Sequence, residues 1–302
     1  MNPTNKAFLQ LHAAVFLAGF TGVLGRLIEL NEAWLVWYRM LFASLILFIL
    51  FAVRKKSLAI SRRNLASCIL VGILIALHWV LFYGSIKFGN VSVALVCFAA
   101  TGSFTAILEP LLLKRRIDAA EILLGLLVLV GIGLIFHFDV SYKTAVVLGV
   151  AAAFLSALFP IFNKQLIRKI EAPVLTFYEL SGGWLLLTLL LPVYLHFSPA
   201  VTAIPSATDL FWLLVLAFFC TVLAFQLSVL ALKQISPCTA NLTYNLEPVY
   251  GIAIAFLLYG EQRELGKGFY WGISLILLSV VLQTLRVRNH RKNSQPLASV
   301  NS

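Results

Sequence analysis

LASCILVGILIALHWVLFYGSI, residues 65–86, runs without a charge between Arg62-Arg63 and Lys87. About 20 apolar residues of α-helix are needed to cross the hydrocarbon of a bilayer, and this stretch has that length. Inside lipid no water is present to pair with the backbone, so such a segment must be helical. Working outward, windows of similar hydropathy recur near residues 8–25, 33–53, 91–113, 119–138, 144–166, 173–197, 208–231, 237–259 and 266–286. Hydrophobic residues fill 61% of the 302 positions, charged residues 12%, and the mean hydropathy is +0.96, more apolar surface than one soluble core of this length can bury. The expected fold is all-α, a polytopic transmembrane bundle of ten helices. Pro160 and Asn163 interrupt the end of the sixth span, the least regular of the ten.

An even number of spans puts both termini on one side, and the basic residues indicate which. If the N-terminus is cytoplasmic, 17 Lys and Arg fall at inner positions and 5 at outer ones, with Arg39 inside a span. That bias is the positive-inside pattern. It also accounts for the net charge of +11 without nucleic acid, since the basic residues are scattered over short loops where anionic headgroups attract them. The Ser/Asn-rich end after Arg286–Lys292 reads as a disordered basic and polar cytoplasmic tail, residues 289–302. The first apolar run carries Gly19, Gly22 and Gly25 and no A-x-A site, so it reads as a retained anchor. Cys68, Cys97, Cys220 and Cys238 lie within or at the edges of spans and lack metal-ligand spacing. No metal or cofactor is expected.

The chain reads as two related halves. Tyr38-Arg39 in span 2 corresponds to Tyr178-Glu179 in span 7, and Leu35 to Leu175. Ser85–Ala94 corresponds to Ala231–Ala240, and Gly125 aligns with Gly272 after a one-residue adjustment. Spans 1–5, residues 1–143, therefore pair with spans 6–10, residues 144–288. Each half has an odd number of spans, so the second enters from the opposite side. Inverted repeats of this kind allow alternating access by exchange of the two halves' conformations.

These residues carry a resemblance. Tyr38-Arg-Met-Leu-Phe-Ala43, Ser92-Val-Ala94, Leu108-Glu-Pro-Leu-Leu-Leu-Lys-Arg115, Ala231-Leu-Lys233, Glu247-Pro248, Gly260-Glu261 and Gly272 stand in an order that resembles the EamA-type ten-helix branch of the drug/metabolite transporter superfamily. The resemblance covers nearly the whole chain. It implies secondary transport of small metabolites, often export of amino acids or other polar compounds. It also implies a cavity formed by helices 1, 3, 4, 6, 8 and 9, with helices 5 and 10 to one side. In the first half Lys114-Arg115-Arg116 stands where the second half, like the family, has Gly-Glu.

Ionisable groups inside spans cost roughly 2.5–3.5 kcal/mol each at the centre on insertion scales and usually serve function. Glu247 is the foremost, near mid-membrane on a face with Thr239 and Thr243, and Pro248 removes the bond to the carbonyl of Tyr244. A carboxylate beside a freed carbonyl suits an ammonium group, and a desolvated one suits a coupling proton; a packing role is the alternative. The Thr101, Thr105, Glu109, Pro110 pattern echoes it, yet the repeat alignment sets Thr101 opposite Glu247 and leaves Glu109 near the end of span 4, as a gate or a structural partner of Lys114 and Arg115. His78 fits either a proton carrier or a neutral ring bonded across the bundle, with Trp79 and Tyr83 as wall or packing. Gln226, Asn241 and Asn245 suit hydrogen bonding to a solute or between helices. Arg39 reads as gating, or as structural, snorkelling to headgroups; Glu179 as gate or cavity lining. Gly19, Gly22 and Pro160 allow either close packing or the bending that rocking requires.

Three function classes follow. The leading one is a secondary transporter, an exporter of small polar or amphipathic metabolites such as amino acids, working by alternating access in a bacterial inner membrane, with proton antiport, solute exchange and facilitated diffusion all open to this architecture. Its partners are the solute, the bilayer and protons. No P-loop is present to drive transport with ATP. An intramembrane enzyme using His78 with a carboxylate requires those groups to meet. A sensor without transport requires a signalling domain that the chain does not show.

Overall fold

The computed structural model describes residues 3–114, 116–138, 142–197, 203–244 and 246–293. Among them there is no β-strand, and the helices are α1 Pro3–Leu27, α2 Glu32–Arg54, α3 Arg62–Phe88, α4 Val91–Phe98, α5 Thr101–Leu113, α6 Ala119–Phe138, α7 Lys143–Leu166, α8 Ala172–Phe197, α9 Ala207–Ala217, α10 Ala224–Ala231, α11 Pro237–Tyr244, α12 Glu247–Tyr259 and α13 Lys267–Asn293. A π-helical turn, Phe218–Leu223, joins α9 to α10. Seven stretches are long and apolar enough to cross a membrane, with α6 and α12 as shorter apolar helices. The seven include α4–α5 and α9–α10 as continuous rods; with α6, the α11–α12 rod and α13 they make the ten spans read from sequence. Large hydrophobics such as Leu189 and Leu257 point outward, as a lipid-facing surface requires. Beyond the expected boundary at residue 288, α13 stays helical to Asn293.

Helix starts follow ordinary capping. Asn31, Ser61 and Asn90 accept from backbone N–H groups in the first turns of α2, α3 and α4, and Ser206 forms a capping box with Asp209. Lys55 and Lys114 close α2 and α5 in the left-handed conformation.

The helix contacts obey a two-fold exchange of spans. α3 of the first half packs on α7 and α8 of the second, and its repeat equivalent, the α9–α10 rod, packs on α1 and α2 of the first. α4 and α5 lie on α7 as α11 and α12 lie on α1, and α2·α8 and α6·α13 pair equivalent spans, so all these contacts cross between the halves. α4 meets α12 and α5 meets α11, so spans 4 and 9 run antiparallel. Both are broken, and at equivalent places: α4 and α11 have 8 residues each, α5 and α12 have 13 each, and the alignment that carries Thr101 onto Glu247 carries one break onto the other. The sequence reading placed an interruption at Pro160 instead. α7 runs through Pro160 without a break to Leu166.

Glycines set two close approaches. A Cβ on Gly251 of α12 would lie 3.0 Å from the carbonyl oxygen of Gly19 on α1, and one on Gly19 would lie 2.8 Å from Tyr250 Cβ. Gly72 of α3 meets the backbone of Glu179 and Gly183 on α8. At one end of the bundle Arg286 pairs with Asp118, tying α13 to the start of α6. Desolvation works against the Asp118 carboxylate, but the Arg286 hydrogen bond and the Ala120 backbone N–H outweigh it and hold the group below its ordinary value.

Candidate functional site

A cavity of about 80 Å³ lies between the halves, room for roughly half a dozen waters at about 10–15 Å³ each. Its walls come from α1 (Thr21), α3 (His78, Trp79, Phe82), α4–α5 (Phe98, Thr101), α7 (Ser156, Phe159, Pro160, Asn163), the α9–α10 rod (Cys220, Phe225, Ser228, Leu232) and α11–α12 (Asn241, Tyr244, Glu247). Arg39 on α2 joins them. The lining residues fall in the middle of α1 and α3, in the second half of α7, along α10 and in α11, so the cavity leans toward the end where α10 stops and α11 begins.

The break in span 9 places Glu247 at the first position of α12, with Pro248 behind it. Proline belongs there, because a first-turn N–H has no intrahelical partner to lose. The helix dipole favours an anion at this end. Glu247 is 4% exposed, and no described side chain hydrogen-bonds or ion-pairs with it. The corresponding break puts Thr101 at the first position of α5, its hydroxyl donating to the carbonyl of Phe98 at 2.7 Å. Two half-helix starts thus face one cavity from antiparallel spans, the arrangement by which broken helices build solute sites.

Arg39 is 2% exposed and does not reach for headgroups, which corrects the snorkelling expectation. Its Nε donates to Thr221 Oγ1 at 2.8 Å, one Nη to the Tyr83 hydroxyl at 2.8 Å and the other to the Cys220 carbonyl at 3.1 Å. Its guanidinium lies 3.7 Å from the centroid of the Trp79 ring, a desolvated cation–π contact. The π-helical turn makes this possible. Residues 218–223 wind one residue wide, Thr221 bonds back to the Leu216 carbonyl, and the Cys220 carbonyl turns to Arg39. π-bulges of this kind concentrate at functional sites.

His78 Nδ1 donates to the carbonyl of Ala152 at 2.9 Å, and its ring sits among Phe82, Phe98 and Phe159. A carbonyl only accepts, so Nδ1 carries a hydrogen and Nε2 is the ring's remaining polar atom. His78 and Glu247 line the same cavity, but no hydrogen bond joins them. The constellation that catalysis required is not assembled. Among the described residues no group of three or more His, Cys, Asp or Glu is placed to hold a metal ion.

The other sequence candidates divide. Asn241 lines the cavity and donates to Thr105 Oγ1 at 2.7 Å, tying α11 to α5. Tyr244 lines it too. Tyr83 is fully buried behind Arg39 and is not part of the wall. Gln226 turns away and donates to the Ala172 carbonyl at 3.5 Å. Glu109 is buried on α5 away from the cavity. Glu179 is fully buried on α8, behind Asn163. Gly19 and Gly22 pack α1 against α12 and α4, where a Cβ on Gly22 would lie 3.1 Å from Val91. Asn245 lies outside the described residues.

Sequence reasoning treated Glu261 only as part of a loop. It is fully buried and accepts from the backbone N–H groups of Val91 at 3.0 Å and Ser92 at 2.9 Å, from the Ser92 hydroxyl, and from Arg26. Arg26 in turn lies over the Tyr259 ring, whose hydroxyl donates to the Val23 carbonyl. This clamp fixes the starts of α4 and the end of α1 at the end of the bundle away from the cavity. The available signal was the repeat in the sequence, where the position equivalent to Glu261 is Arg115, a basic residue aligned with an acidic one.

Antiparallel halves, paired helix breaks and, between them, a largely apolar cavity holding a buried carboxylate define a membrane-transport bundle. The EamA-like transporter family profile matches twice, over residues 5–137 and 143–285. The chain belongs to that family. An uncharacterized transporter of Haemophilus influenzae is 27% identical over 152 residues, 47% of this chain and 50% of the relative, so the match spans about half that protein's length. A crystal structure of a protein described no further aligns over 94% of this chain and 98% of its own with a TM-score of 0.67 and 14% identity, a likeness of fold.

Proposed function

We propose that the chain is a secondary transporter that exports small polar or amphipathic metabolites, amino acids among them, by alternating access coupled to protons. Residues 1–143 and 144–288 act as the two moving repeats, in a bacterial inner membrane with both termini in the cytoplasm. The observation that carries this reading is Glu247: a buried carboxylate without a protein partner, at the start of a half-helix, facing a cavity walled by both halves. An ammonium group is the complement of such a site, and the rings of Trp79, Phe82, Phe98, Phe159 and Phe225 suit an apolar portion beside it. Asn241, Tyr244 and His78 add polar atoms to the wall. Arg39, held by three partners and by Trp79, positions that wall and offsets the charge of Glu247.

The test is comparative metabolite profiling of medium and cytoplasm in cells carrying empty vector, the native chain or Glu247→Gln at matched membrane levels. A compound moved to the medium by the native chain and much less by the variant supports the reading. Equal movement by both returns Glu247 to packing. A new chemical product without redistribution would point to catalysis instead.

A further inference from the structure

Beside the break in span 4 the bundle leaves a second hollow, an open groove of about 590 Å³ between α3, α5 and α7. Its walls are apolar side chains: Leu81 of α3, Phe104 of α5, and Val147, Val150, Phe154 and Leu155 of α7 among them. It shares no residue with the central cavity. Val147 and Phe154 are exposed, so the groove faces lipid. The rings of Phe104 and Phe154 meet edge to face, 5.5 Å between centroids, and close its deep end. Along α7 the lining runs from Val146 to Leu155, about 14 Å at 1.5 Å per residue. One leaflet of a hydrocarbon core about 30 Å thick measures about 15 Å. The groove therefore has the length of an acyl chain's course through one leaflet.

A positive charge stands at its head. Lys143 opens α7 one turn before Val147. Lys143, Val147, Val150 and Phe154 follow at intervals of four, three and four residues and so share one face of the helix. Lys143 is exposed, and no described group bonds or pairs with it. The first turn of α7 has no side-chain cap, which leaves partial positive charge at the same place. This is the clamped end of the bundle: Ser85 Oγ donates to the Ala145 carbonyl at 2.6 Å, and a Cβ on Gly89 would lie 2.7 Å from Ala145 Cβ. The start of α7 is thus fixed beside the end of α3 and the start of α4, at headgroup level.

We propose that this groove is a binding site for an anionic phospholipid, with one acyl chain lying along α7 and the phosphate on Lys143. The groove supplies the length and the apolar walls, and the lysine supplies the charge that an anionic headgroup complements. A zwitterionic headgroup brings an ammonium of its own to the lysine and gains less from the contact. The bound chain lies against α7, the helix that gives Ser156, Phe159 and Asn163 to the solute cavity, and against Phe104, one turn past Thr101 at the break in span 4. Lipid therefore braces the gap between α5 and α7 from outside, whatever the solute and whatever drives its movement.

The test is native mass spectrometry of the full-length protein, delipidated in detergent and titrated with phosphatidylglycerol or phosphatidylethanolamine carrying the same acyl chains. The first phosphatidylglycerol should bind the native protein about fivefold more tightly, the preference that about 1 kcal/mol from one basic residue gives. Lys143→Gln should remove that preference, whereas Lys267→Gln, at the same end on α13, should keep it. Ala151→Phe fills the groove and should weaken the first site for both lipids. Equal affinities on the native protein, a preference that survives Lys143→Gln or falls equally with Lys267→Gln, or unchanged binding to Ala151→Phe would overturn the proposal. A dimer that Ala151→Phe disperses, with no lipid retained, would assign the groove to a second copy of the chain instead. The comparison of headgroups on the native protein depends on no variant's folding and on no transport measurement.

Discussion

Replacing Glu261 by alanine should be the most damaging single change at the clamped end of the bundle. The carboxylate is fully buried and serves two backbone N–H groups, one hydroxyl and one guanidinium. Its removal leaves Val91 N–H, Ser92 N–H and Ser92 Oγ without an acceptor, at about 1–3 kcal/mol for each that water does not reach. It also removes an anion from the start of α4, a contribution of about 0.3–1 kcal/mol. The Arg26 side chain is 33% exposed, so water enters from that side and offsets part of the loss. The net expectation is about 3–5 kcal/mol, the range for breaking a buried charge pair. Gln at the same position keeps one acceptor and should cost about half as much. Arg26→Ala should cost less than Glu261→Ala, because three of the four contacts survive. Reversible denaturant titration in mixed micelles, followed by tryptophan fluorescence, measures all three. A loss below about 1 kcal/mol for Glu261→Ala, or equal losses for Arg26→Ala and Glu261→Ala, would refute the clamp.

Arg39→Lys keeps the charge but loses the planar fork that reaches Thr221, Tyr83 and Cys220 while stacking on Trp79; efflux of the compound found by profiling should fall at least about tenfold, equivalent to roughly 1.4 kcal/mol, and native efflux would remove Arg39 from the site. Gly251→Val drives a side chain into the α1·α12 contact at the Gly19 carbonyl and should cost about 1–3 kcal/mol by denaturant titration. Gly266→Ala meets nothing within 4 Å and should be neutral within about 0.5 kcal/mol. Asp118 is held below its ordinary value by Arg286 despite desolvation. Its contribution is therefore present above the unfolded carboxylate value and lost as the pH falls through the folded one. Asp118→Asn should flatten the acid limb of thermal stability, and an unchanged acid limb would place the linkage elsewhere.

The spans were legible because hydropathy and length decide them; the observed rods match their expected edges closely except where α1 begins earlier, at Pro3, and α13 runs on to Asn293 past the apolar stretch. The breaks were not legible locally. Phe98-Ala99-Ala100-Thr101 contains neither proline nor glycine, and Pro248 stands after its break rather than in it. The alignment of Thr101 with Glu247 made the two positions equivalent but announced no break at either. Arg39 was misread because Trp34, Trp37 and Tyr38 beside it suit an interface. Its partners Thr221 and Cys220 come from a π-helical turn far along the chain, which no periodicity announces. Glu261 looked like a loop acid because sequence does not show that α4 begins beside it.

The halves repeat in backbone and differ in charge at the positions that matter. Arg39 faces Glu179 in the repeat, Thr101 faces Glu247, and Arg115 faces Glu261. Identical halves would make the two inverted conformations equal in energy, with no preferred side. Here the Glu261 clamp closes the starts of α4 at one end, while the cavity leans to the other, where Lys164 donates to the carbonyls of Leu232 and Ile235 beyond α10. To open the clamped end, the protein must unpair a buried carboxylate. Closing the opposite one rearranges α10 and α11 around Lys164, which donates to two backbone carbonyls there. Under the alternating-access proposal, this asymmetry makes the state with the cavity toward the Lys164 end the expected resting one, with the energy that reverses it drawn from the groups on which the halves disagree.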